Sequence, residues 1–151
     1  MLDRLFPQPA TNHYQGQTVA KWAFALLTIL TIARSLAHIL LPDGGAQSIA
    51  TIPLDEFTAN GAATAVHLFA LWGLSQLLLG LFYLVVFWRY QSLIPLMYLL
   101  IFVEYTVRLG LTIVKPLETI GTAPGAIGNY VIIPLALFML VLALMPPRNQ
   151  S

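Results

Sequence analysis

Five ionisable residues lie inside stretches of the chain that are otherwise apolar: Arg34, His38, His67, Glu104 and Arg108. Arg34 and His38 are four residues apart, as are Glu104 and Arg108, so on helices each pair occupies one face. A charge placed within a membrane span costs about 2.5–3.5 kcal/mol on insertion scales, so such groups normally turn inward and carry function. Glu104 and Arg108 can neutralise each other as an intrahelical ion pair. Arg34 has no acidic residue in its own span, and its charge calls for an anion, either Asp55 or Glu56 folded back from a loop or an external ligand. His38 and His67 are candidates for hydrogen bonding or proton exchange. On different helices at matched depth they could also ligate a b-type haem or, with Glu104, a metal ion, although neither shows a ligand-motif spacing.

The surrounding composition makes the solvent of these residues a lipid bilayer. Of 151 residues, 58% are hydrophobic and 9% are charged, against about 25% charged in soluble domains. Four spans of about 20 residues use more than half of that length, so one membrane domain is expected and no separate soluble one. The formal net charge is +1, and no run of Lys or Arg provides a nucleic-acid footprint. The absence of cysteine excludes disulfides and thiolate chemistry. The first apolar stretch begins only near Val19 and three more follow, which reads as a retained helix rather than a cleaved signal.

Hydrophobic runs and breakers place the spans at about 18–41, 62–88, 93–114 and 130–145. Pro42, Asp43, Gly44 and Gly45 stop the first. The connection after it contains Ile52, Pro53, Leu54, Asp55, Glu56 and Phe57, a mixture suited to the membrane surface. Arg89, Tyr90, Gln91 and Ser92 form a tight turn that makes the second and third spans antiparallel neighbours. Residues 121–128, with Gly121, Gly125 and Gly128, read as a loop or lid and lack the Lys-Ser or Lys-Thr of a phosphate loop. The expected fold is an all-α four-helix transmembrane bundle, read as a tandem pair of hairpins because Arg34 precedes Pro42, and Arg108 precedes Pro116, by the same eight residues.

Arg4, Lys21, Arg89 and Arg148 collect on one side, opposite Lys115 alone, so both termini are expected in the cytoplasm and the protein in the inner (plasma) membrane. Counting 1.5 Å per residue, Arg34 and Arg108 lie about 6 Å beyond the midplane, His38 and His67 about 12 Å beyond it, and Glu104 close to it. All five then occupy the outer half. Gln76 is nine residues from His67, half a turn away in azimuth, and is expected in another contact. Gly73 and Gly80 share a face and allow close helix packing.

With Ala33 and Arg34 late in the first span, the Trp88-Arg89-Tyr90 turn, and Glu104 with Arg108 in the third, the chain resembles the DoxX-like group of small bacterial four-helix membrane proteins. Some members are associated with quinone or redox enzymes, so the resemblance implies a place near such chemistry. No Ser-His-Asp set, paired acid and base, or channel-like polar span is present, and no reaction follows from the sequence. The reading is an outward-facing polar pocket that binds a quinone-like or anionic amphiphile, such as a lipid, through Arg34, His38, His67, Glu104 and Arg108. Two others are an accessory subunit of a larger membrane complex or homo-oligomer, and a haem- or metal-binding protein through His38 and His67.

Overall fold

The computed structural model describes residues 2–147. A short helix α1 (Leu2–Leu5) precedes four long ones: α2 (Thr18–Leu40), α3 (Ala59–Arg89), α4 (Ile94–Val114) and α5 (Pro124–Leu144). Each long helix is apolar and long enough to cross a membrane, and together they make an all-helical multi-pass bundle. In a bilayer this follows from backbone chemistry, since a helix satisfies its N–H and C=O groups within the segment.

The boundaries have local causes. Pro42 cannot extend α2, and Thr58 caps α3 by accepting a hydrogen bond from the Gly61 backbone N–H at 3.2 Å. Pro95 and Pro124 each occupy the first turn of their helix, where their fixed φ fits and no N–H is needed. Two boundaries differ from the sequence expectation by more than one residue. Helix α3 starts at Ala59 rather than residue 62. Helix α5 starts at Pro124 rather than residue 130, so Gly125 and Gly128 are helical and the loop shrinks to residues 115–123. A glycine costs a helix about 1 kcal/mol in water; in hydrocarbon an unpaired backbone costs several, so helix wins. Pro134 removes one further hydrogen bond inside α5.

The helices pack as two hairpins, α2 against α3 and α4 against α5, joined mainly through α2 and α5. The principal core lies toward the end that carries the termini. There Phe24 meets the edges of Tyr83 and Tyr98 at centroid distances of 5.5 and 5.8 Å, and the Tyr98 hydroxyl donates to the Ala20 carbonyl at 2.6 Å. Ile94, Met97, Ala136 and Ala143 complete this buried layer.

The segment from Arg4 to Gln17 is tied across this end. Thr11 and Ser92 exchange hydrogen bonds of 2.8 and 3.1 Å, Arg4 donates to the Leu144 carbonyl at 3.0 Å, and the Gln17 N–H to that of Leu142 at 3.1 Å. Each satisfies a backbone or hydroxyl group at a helix end.

At the opposite, loop end a second small core forms. Ala46, Ile52 and Leu54 of the α2–α3 connection are buried against Ala62, Ala65, Val66 and Phe69 of α3. Asp43 organises this connection: its carboxylate accepts from the backbone N–H groups of Gly45, Gln47 and Ser48 at 2.9, 3.1 and 2.6 Å. Partial burial opposes ionisation, but these three donors and the Ser48 hydroxyl prevail and hold the carboxyl at about 2, below its ordinary 3.8. A depressed pKa gives stability that is complete above the ordinary value and disappears as pH falls through the folded one. Hydrogen exchange of residues 43–57 should therefore be constant from pH 7 to about 4 after correction for intrinsic rates, then accelerate toward pH 2. Asp43→Ala should loosen the segment by about 1 kcal/mol at neutral pH.

Candidate functional site

Between the two cores the helices carry a polar cluster. Arg34 of α2 donates through Nη2 to the Gln76 Oε1 of α3 at 3.1 Å and, weakly, through Nη1 to the Tyr105 hydroxyl of α4 at 3.4 Å. Gln76 passes the interaction on, its Nε2 donating to Glu104 Oε1 at 3.1 Å. The same carboxylate oxygen accepts a short hydrogen bond from Arg108 Nη2, the ion pair read from the sequence. The Gln76 amide is thereby oriented, its carbonyl toward a cation and its NH2 toward an anion.

Trp72 is the platform of the cluster. The guanidinium carbons of Arg34 and Arg108 lie 5.4 and 5.3 Å from its ring centroid, and Arg108 also stands 4.8 Å from that of Tyr105. Cation–π contact of this kind contributes about 0.5–2 kcal/mol, more as water is excluded. The two arginines related by the eight-residue spacing to proline thus converge on one indole.

Arg34, His38, Glu104 and Arg108 come together around Trp72 and Gln76, whereas His67 does not. His38 is buried and packs its Cβ against Gly73, where an added Cβ would stand 2.8 Å away. Its ring lies 4.8 Å from that of Trp72 and 5.7 Å from that of Phe69. Nδ1 is 2.7 Å from the Gly44 carbonyl; an oxygen that only accepts assigns the proton to Nδ1. Two successive left-handed glycines, Gly44 at φ 60° and Gly45 at φ 72°, fold the loop over this imidazole. His67 is exposed. It stands six residues before Gly73, hence about 9 Å further along α3 and about 120° around it. The depth match expected for the two histidines fails because α2 and α3 pack in a register set by Gly73, which a count from span ends does not reveal. Among the described residues no three of His, Cys, Asp and Glu gather as a metal site.

Arg34 also receives no carboxylate from the loop. Asp55 accepts instead from Gln47 at 2.6 Å on the loop surface, and Glu56 is exposed. Two cations and one anion leave Arg34, Glu104 and Arg108 with a sum of +1. Only two of the five guanidinium N–H groups of Arg34 are used within the cluster.

Immediately toward the termini from Arg34, a cleft of about 120 Å³ opens between α2, α4 and α5, lined by Leu27, Leu30, Thr31, Arg34, Tyr105 and Ile132. Gln76, Trp72 and Tyr105 join the cluster beyond the residues that the sequence marks as ligand-binding. Trp72 and Gln76 were detectable, because they share with Gly73 and Gly80 the face of α3 that meets α2. A tryptophan at mid-span, away from the aromatic belts, is a second such signal. No family model, curated protein or solved structure matches the chain.

Proposed function

We propose that this is an inner-membrane protein, with both termini in the cytoplasm, that binds a small anionic amphiphile between its helices, with Arg34 as the anion anchor. The reading rests on one observation: the Arg34–Gln76–Glu104–Arg108 cluster carries one more cation than anion within the membrane-spanning part of the bundle. An uncompensated guanidinium there is costly, and an anion on its unused N–H groups supplies both charge and acceptors. Arg108 and Glu104 set the field around it, and Trp72 holds both guanidiniums in place. His38 supports the site from behind by securing the loop. The orientation is supported by the excess of Lys and Arg at the terminal end, and a DoxX-like affiliation remains our family reading on the residues given above.

Protein purified in mild detergent and examined by native mass spectrometry should retain an anionic amphiphile, and Arg34→Met should lose it. Charge-assisted hydrogen bonds contribute about 1.5–3 kcal/mol, so affinity should fall roughly 10- to 100-fold, while Arg34→Lys should retain part of it. Equal occupancy in wild type and Arg34→Met would overturn the proposal. Copurification with stable additional polypeptides and no amphiphile would favour the accessory-subunit reading instead, and a neutral quinone insensitive to Arg34→Met would remove the anion requirement.

A further inference from the structure

Resting on the anion-binding reading, we infer that the ligand is a single-chain, unbranched carboxylate amphiphile that enters sideways from the bilayer and lays its chain between α2 and α5. The cleft beside Arg34 has a charged upper end, where the guanidinium and the Tyr105 hydroxyl stand, and an apolar floor of Leu27, Leu30 and Ile132. This gradient is that of an acid with a hydrocarbon tail. Its volume of about 120 Å³ is well below the roughly 300–1,000 Å³ of sites that enclose drug-sized ring systems. A narrow chain segment fits; a substituted ring or a branched isoprenoid does not.

The route follows from what is open. At the loop end the two connections are fastened together: the Ile120 N–H donates to the Thr51 carbonyl and the Thr51 hydroxyl to the Gly121 carbonyl, both at 2.9 Å. Thr51 holds this clasp at φ 57°, a left-handed conformation that a β-branched residue adopts only when its surroundings impose it. His38 fastens the first connection again through Gly44. At the terminal end the aromatic core and the segment 6–17 close the bundle. Toward lipid the cleft is bounded by Leu30, 54% exposed, and acyl chains would bathe this face. A carboxylic acid can cross hydrocarbon as its neutral form and be held as the anion at Arg34, whereas a permanently charged headgroup would be dragged through the slab at full cost.

Binding of tritiated palmitate to full-length protein in phosphatidylcholine nanodiscs tests this directly. Saturable binding of about one palmitate per chain is expected, competed by unlabelled palmitate but not by the branched phytanate or by ubiquinone. Ile132→Phe, which fills the floor, should weaken binding by about tenfold or more, the range set by overpacking. Ile132→Ala, which enlarges the floor, should admit phytanate as a competitor, and both variants should elute as the parent does in size-exclusion chromatography. If Ile132→Phe fails to fold, loss of discrimination against phytanate in Ile132→Ala is the reading that supports the cleft. Binding lost in Arg34→Met but unchanged in Ile132→Phe would overturn the cleft and leave the anion site standing. Binding insensitive to both would overturn both. An Arg34-dependent amphiphile found by native mass spectrometry together with no saturable palmitate binding would sink only the present inference.

Discussion

Glu104→Leu is expected to lower the stability of the bundle by about 2–3 kcal/mol. Removing one partner of a buried ion pair costs about 3–5 kcal/mol, because the surviving charge stays behind. Here the side chains of Arg108 and Glu104 are 22% and 26% exposed, which reduces the figure. The loss spreads further than one pair, since Glu104 Oε1 also receives Gln76 and, through it, steadies Arg34. A drop of about 5–10 °C in the midpoint of thermal unfolding in detergent is the measurable equivalent, using the relation for soluble domains of this size. Glu104→Leu/Arg108→Leu should recover about 1 kcal/mol or more, a non-additivity that identifies a coupled pair. The same single substitution raises the cluster from +1 to +2, so anion affinity should rise while stability falls. A midpoint within about 1 °C of the parent would mean that the pair carries no structural weight.

Gly73→Leu should have an effect of similar size for a steric reason. A Cβ at Gly73 would meet His38 Cβ at 2.8 Å, the Ser35 carbonyl oxygen at 3.1 Å and Ile39 Cγ1 at 3.3 Å. Two of these atoms are fixed by the backbone of α2, so the helices must separate. Overpacking of this kind costs about 1–3 kcal/mol, and a leucine belongs at the upper end. The displaced imidazole would release Gly44, so exchange across residues 43–57 should quicken as well. Gly80→Ala is the control: the new Cβ would press at 2.8 Å on Ile32 Cγ1, a side-chain atom that can move, and the gain in helix propensity offsets part of the strain. Equal effects at Gly73 and Gly80 would contradict the close contact inferred at Gly73.

The features legible in the sequence are those governed by one helix at a time. Hydropathy over 20 residues defined four spans, and i, i+4 spacing defined the Glu104–Arg108 pair, because both depend on local geometry alone. What needed the third dimension was the register between helices. Gln76 points away from His67, as nine residues of helix require, but the expectation that it serves another contact fails: its bridge between Arg34 and Glu104 depends on how deeply Gly73 lets α2 approach α3. A depth count along each span brings His67 into the site only if α2 and α3 pack in the register their ends suggest, and Gly73 sets another. Glycine content predicts a loop over 121–128 by a rule calibrated in water; the bilayer reverses it from Pro124 onward. The anion expected from Asp55 or Glu56 is absent from the cluster because Asp43 and Gln47 hold that connection at the surface.

Gln76, and with it the Arg34 guanidinium, lies near the middle of the 31-residue α3. An anion bound there places its charge roughly halfway through the transmembrane electric field, whichever form it arrives in. One elementary charge moved across the whole membrane corresponds to about 2.3 kcal/mol per 100 mV, so the bound state shifts by about 1 kcal/mol per 100 mV, or roughly fivefold in occupancy. With an anion at Arg34, the depth of one glutamine would couple site occupancy to the energisation of the membrane, without any moving part.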